Sequence, residues 1–118
     1  MQALFGSAGA GRSTVTYTQS TQSGPTTINI SSLSGYTAGK TDVVILMPGS
    51  GTVGTGFYSS TPNTAALTLT GGTTGDTVTL NFSSSYSGIF GCGGYGGNVS
   101  SSPYGNGSTA LDISGLGV

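Results

Sequence analysis

An all-β fold is predicted for this chain of 118 residues. Three observations predict it. Short stretches alternate apolar and polar residues with a period of two, no stretch carries apolar residues at helical spacing, and Gly, Ser and Thr together make up more than half of the sequence. Alternation marks a half-buried strand, whereas Gly, Ser and Thr are poor residues for helix interiors. The expected architecture is a small β-sandwich of jelly-roll type or a short β-solenoid or prism, with a glycine-rich loop and no significant helix.

Residues 1–25 read as an extended N-terminal arm, in which only Thr14–Thr18 alternates as a strand does. Gly6, Gly9 and Gly11 precede that stretch and loosen it, so the arm is expected to order by lying on an adjacent chain. The all-β domain then runs over residues 26–118. Its first strand is Thr26–Ser31, with Ile28 and Ile30 on one face and Leu33 and Tyr36 closing the turn that follows. Asp42–Met47 is a largely apolar run ended by Pro48 and Gly49, and it reads as a strand covered on both faces. Thr52–Ser59 mixes Val53, Phe57 and Tyr58 with Gly54 and Gly56, as an irregular strand does.

Ala66–Thr70 and Thr77–Phe82 alternate cleanly on either side of the Gly71–Asp76 turn. The short, glycine-rich connection predicts a hairpin that turns Leu67, Leu69, Val78, Leu80 and Phe82 inward. Ile89 and Phe90 make a further short strand, and Leu111 with Ile113 a last one.

One unit recurs. Ser59-Ser60-Thr61-Pro62 leads into Ala66-Leu67-Thr68-Leu69-Thr70-Gly71, and Ser100-Ser101-Ser102-Pro103 leads into Ala110-Leu111-Asp112-Ile113-Ser114-Gly115. Repeats of this kind bury their apolar faces against one another, so Leu67 and Leu111 are expected to occupy equivalent places in successive units.

Only Arg12, Lys40, Asp42, Asp76 and Asp112 carry a side-chain charge, for a formal net charge of −1. So little charge offers no grip to nucleic acid or to an anionic membrane. The apolar run from Val43 to Met47 is too short to cross a bilayer, and Met1–Gly11 has no basic start and no apolar stretch of signal-peptide length. Synthesis in a cytosol without export is therefore expected. A chain with so few bulky and so few charged residues is expected to gain support from neighbours, which makes it a homo-oligomeric building element.

Catalytic chemistry finds few candidates. The sequence has no His and no Glu, so imidazole-based triads are excluded. Asp76 follows Gly75 in a turn, where a carboxylate bonds local backbone, and Asp112 alternates with core positions and so faces outward. No catalytic, cofactor-binding or metal-binding residue is assigned: Asp is not spaced for calcium, and the glycine segments lack the Lys-Ser or Lys-Thr of a phosphate loop. Cys92 stands alone between Gly91 and Gly93, as a small, partly buried apolar residue or an interchain thiol. Tyr95, Asn98, Tyr104 and Asn106, on a glycine backbone, form the candidate interface or recognition loop, suited to polar stacking contact with a sugar or another protein.

Taken together, Thr27-Ile28-Asn29-Ile30, Gly35–Val43, Ala66-Leu67-Thr68-Leu69 and Gly75-Asp76-Thr77-Val78-Thr79-Leu80 resemble stretches of the glycine-rich structural proteins of tailed bacteriophages. Ile89-Phe90-Gly91-Cys92-Gly93-Gly94-Tyr95-Gly96-Gly97 looks like that group's Ile-x-Gly-x-Gly-Gly-x-Gly-Gly motif. Thr109-Ala110-Leu111-Asp112-Ile113 is similar to the ending that closes its loop. The resemblance spans residues 26–115 and implies a virion subunit of tail, fibre, baseplate or capsid surface, with copies of itself and other virion proteins as partners and no catalytic residues. The alternative it leaves open is an adhesin that holds a host cell-surface glycan through Tyr95, Asn98, Tyr104 and Asn106.

Overall fold

In a computed structural model, residues 2–6, 11–49, 54–93 and 107–118 are described. The chain coils three times around one core. The first turn of the coil holds β2 (Ser13–Thr18), β3 (Gln22–Ser23) and β4 (Thr26–Asn29), the second β5 (Thr41–Met47), β6 (Gly56–Tyr58) and β7 (Leu67–Gly71), and the third β8 (Thr77–Phe82), β9 (Gly88–Phe90) and β10 (Leu111–Leu116). Every third strand stacks in parallel on the one before, giving the sheets β2-β5-β8, β3-β6-β9 and β4-β7-β10. β1 (Gln2–Gly6) adds to the free edge of β8 in the antiparallel sense. Of the two expected architectures, this is the short solenoid, all-β, with one three-residue 3-10 turn, Ile30–Ser32, among the described residues.

Like residues stack through the coil because each strand lies in register on its predecessor. Val15, Val43 and Val78 form one ladder, and Tyr17, Ile45 and Leu80 another. Leu67 lies beside Leu111, so the repeat visible in the sequence is one turn of the solenoid returning to the same sheet. Ile28, Ile30, Val43, Ile45, Met47, Phe57, Ala66, Leu67, Leu69, Val78 and Leu80 form the buried core. Burying each large aliphatic side chain of this set stabilises the fold by roughly 1.5–3 kcal/mol.

The abundance of Ser and Thr has a structural use at the corners, where the backbone leaves one sheet and its polar groups lose their ladder partners. The Gln19 amide, buried between β2 and β3, donates to the Thr21 carbonyl and to Ser23 Oγ. Thr55 Oγ1 donates to the Pro48 carbonyl and Ser87 Oγ to the Met47 carbonyl, at 2.6 and 2.7 Å. Ser31 Oγ accepts from Gly72 N–H at 2.8 Å, tying the first turn of the coil to the second.

Four expectations differ from this arrangement. The hairpin does not form: β7 pairs with β4 and β10 and β8 with β5 and β1, so the Gly71–Asp76 segment turns a corner between two sheets. Leu67, Leu69, Val78 and Leu80 are nonetheless buried, because alternation sets the face irrespective of the partner. Asp42–Met47 is not covered on both faces: Val43, Ile45 and Met47 are fully buried, while Val44 and Leu46, pointing away from the core, are half-exposed. The strand expected over Thr26–Ser31 stops at Asn29, whose Oδ1 caps the 3-10 turn by accepting from Ser31 N–H at 3.0 Å. Ile113 does not share the inward face of Leu111, since the register of β10 shifts between Asp112 and Gly115 and leaves Ile113 37% exposed.

Ser13–Thr18, which the sequence places in the N-terminal arm, runs in register along β5 as the first strand of the coil. No helix among the described residues is long and apolar enough to cross a membrane.

Candidate functional site

Three of the five charged residues meet where β2, β5 and β8 begin. Arg12 reaches across the stack: Nε donates to Asp42 Oδ1 at 2.7 Å, Nη1 to the Gly75 carbonyl at 2.5 Å and Nη2 to the Thr41 carbonyl at 3.0 Å. The same Asp42 oxygen accepts from Thr77 Oγ1 at 2.7 Å; Asp42 and Thr77 are register partners on β5 and β8. The Thr77 hydroxyl and then the Arg12 guanidinium hold the Asp42 carboxyl below its ordinary range, against the opposing effects of burial and Asp76.

Asp76 is fully buried beside this pair. Its Oδ2 accepts from the Tyr36 hydroxyl at 2.6 Å and from Thr73 N–H at 2.9 Å, and its Oδ1 from Thr41 N–H at 3.1 Å. Burial alone raises its pKa, but Tyr36 and the backbone donors of Thr41, Thr73 and Gly39 outweigh that and keep it below the ordinary value. The expectation that Asp76 bonds its own turn is met at Thr73, and the bonds to Tyr36 and Thr41 extend it to the preceding turn of the coil. Gly75 makes the approach possible: its φ of +104° is in the region that favours glycine, and a Cβ there would lie 2.7 Å from the Gly39 carbonyl oxygen.

This corner is a clamp. Asp76 takes donors on both oxygens and Asp42 two donors on one, all supplied by the fold itself, the arrangement that locks neighbouring turns of a solenoid together. Asp112, half-exposed on β10, accepts from Ser114 N–H at 2.8 Å. Among the described residues, no group of three His, Cys, Asp or Glu is placed to hold a metal ion.

A second feature lies at the third turn of the coil. Leu80, Phe82, Ile89, Phe90, Ala110 and Leu111 line a cleft of about 740 Å³, edged by serines of the Ser83–Ser87 segment. Beside it, among the described residues, β9 and β10 each have a strand neighbour on one side only. The candidate loop residues Tyr95, Asn98, Tyr104 and Asn106 lie outside the described residues. Cys92, at the start of that loop, is half-buried, and its backbone N–H donates to Ser108 Oγ at 2.6 Å while Ser108 N–H donates to the Cys92 carbonyl at 2.8 Å.

Sequence reasoning passed over Gln22, Tyr58 and Phe90, which the coil brings onto one outer face. Their signal is present in the alternation: Tyr58 follows Phe57 and Phe90 follows Ile89, so if the first of each pair points inward the second points out. No family model, curated protein or solved structure matches the chain.

Proposed function

We propose that this chain is a non-enzymatic structural subunit of a tailed-bacteriophage particle, assembling with copies of itself and with other virion proteins. The observation that carries the reading is that, among the described residues, the third turn of the coil leaves two strand edges open. β9 contains no charged residue and β10 only Asp112, and the apolar cleft opens beside them. Uncharged edges with free N–H and C=O groups pair with further strands, and natural monomers block them with Lys, Pro or bulges. The bulge in β10 disrupts pairing at one point and leaves β9 unprotected. Arg12, Asp42 and Asp76 are engaged in holding the coil together, which agrees with a mechanical role. Assignment to a phage particle is supported by the Ile89–Gly97 and Thr109–Ile113 motifs.

Native mass spectrometry and sedimentation velocity test the reading. Defined higher-order species are expected at micromolar concentration, and Ile113→Lys, placing a charge on the outward side of an edge strand, is expected to dissociate them while the circular dichroism spectrum stays β-type. A stable monomer at that concentration overturns the proposal.

A further inference from the structure

We infer that the outer face of the β3-β6-β9 sheet is a binding site for the ring of a neutral sugar. Gln22, Gly56 and Gly88 are register partners across its three strands, and Tyr58 and Phe90 are partners two positions farther along β6 and β9. Phe57, between Gly56 and Tyr58, is 1% exposed in the core, and Ile89 packs against that core. Alternation therefore puts Gly56, Tyr58, Gly88 and Phe90 on the outward side. Tyr58 and Phe90 are 42% and 57% exposed there, on strands about 4.8 Å apart.

Neither glycine has room for a side chain. A Cβ on Gly88 would lie 2.5 Å from Phe90 Cζ, so the phenyl ring lies over bare backbone, and a Cβ on Gly56 would run into the Gly88 carbonyl. The result is a trough of about 270 Å³ lined by Thr55, Gly56, Phe57 and Gly88, with the exposed Tyr58, Phe90 and Gln22 at its rim.

The chemistry of the trough selects its ligand. Aromatic faces carry negative charge density and attract the polarised C–H groups on the apolar face of a pyranose. The Gln22 carboxamide both donates and accepts, as the hydroxyls of a sugar require. None of Arg12, Lys40, Asp42, Asp76 or Asp112 lines the trough, so a charged ligand finds no counter-ion. A nucleotide would stack equally well on the rings and would bring a phosphate with nothing to meet it. A neutral hexopyranose offers C–H groups to the two rings and hydroxyls to the Gln22 carboxamide. With one ring stacked and few hydrogen bonds, its affinity is on the order of millimolar.

Saturation-transfer NMR on the intact chain tests this, using the methyl glycosides of glucose, galactose and N-acetylglucosamine as probes. At least one glycoside is expected to receive saturation, strongest on the protons of one ring face. Tyr58→Ala and Gln22→Ala are each expected to weaken its binding about fivefold to tenfold. Tyr86→Ala, which removes an exposed ring outside the trough, is expected to leave it unchanged. Gln22 is exposed on a short edge strand, so its variant keeps the fold, which the amide spectrum verifies. The inference is overturned if no glycoside receives saturation, if binding survives both trough substitutions, or if adenosine monophosphate binds as strongly as the best glycoside.

Discussion

Arg12 Nε lies 2.7 Å from Asp42 Oδ1, and through that one oxygen, which also accepts from Thr77, the pair joins all three turns of the solenoid. Arg12 precedes β2, Asp42 is on β5 and Thr77 on β8, so the contact spans the full depth of the first sheet. The Arg12 side chain is 10% exposed and that of Asp42 30%, so the pair is screened less than a surface ion pair but is not sealed from solvent. Arg12→Ala is expected to cost about 2–3 kcal/mol, because it strands Asp42 and the Gly75 and Thr41 carbonyls together. Arg12→Lys is expected to recover less than half of the loss, since an ammonium cannot reproduce the fork that serves three acceptors. Urea denaturation followed by circular dichroism measures both; a change under about 0.5 kcal/mol in Arg12→Ala contradicts the clamp.

Asp76 carries the neighbouring part of the corner without a cation. Asp76→Ala leaves Thr41 N–H, Thr73 N–H and the Tyr36 hydroxyl without their acceptor, at an expected cost of about 3 kcal/mol. Tyr36→Phe removes one donor only and is expected to cost about 1 kcal/mol. Equal losses in the two variants on thermal denaturation would show that the backbone bonds to Asp76 contribute nothing.

The acid response follows from the same carboxylates. Asp42 and Asp76 both titrate below the ordinary 3.8 in the folded chain, so the unfolded chain takes up their protons first. Their contribution is fully present above that value and is lost as pH falls through it toward the lower folded values. With no His or Glu in the sequence, denaturation midpoints are expected to be flat from about pH 5 to about pH 8 and to drop below about pH 4. Asp76→Asn is expected to shallow that drop; an unchanged acid limb in this variant would remove Asp76 from the account.

Backbone geometry at Gly75 offers a test independent of charge. Gly75→Ala places a methyl against the Gly39 carbonyl at a φ that side chains avoid, with an expected loss of about 2 kcal/mol. Gly24→Ala meets nothing within 4 Å and is expected to change stability by less than about 0.5 kcal/mol. Matching thermal midpoints for the two variants would contradict the close approach of the two corners.

In the core, Ile45 sits at the middle of the central strand, flanked in register by Tyr17 and Leu80. Ile45→Ala is expected to cost about 2–5 kcal/mol and Ile45→Val about 1 kcal/mol, because a fully buried site on a central strand has little room to collapse. Amide exchange should quicken in β2 and β8 as well as in β5, whereas a change confined to β5 would mean that the turns of the coil open independently.

Much of the coil is legible in the order of its residues. The alternation in Ala66–Thr70 and Thr77–Phe82 assigns Leu67, Leu69, Val78 and Leu80 to the core, and the matching of Leu67 with Leu111 marks one return of the chain to the same sheet. Strand character and side-chain face are local properties, set by a two-residue period and by the poor helix propensity of Gly, Ser and Thr. Partnership is a property of the whole chain. The Gly71–Asp76 segment has the composition of a hairpin turn and makes a corner: Val78 and Leu80 stack in register on Val43 and Ile45, while β7 pairs with β4 and β10. Arg12, Asp42 and Thr77, or Gln22, Tyr58 and Phe90, are scattered in sequence and meet only because parallel stacking returns the chain to the same sheet once per turn. Local pattern thus dictates which residues lie inside and that the elements are strands. Which strands touch is selected by the folded coil, since burial rewards any inward-facing neighbour and only the closed coil satisfies all of them at once.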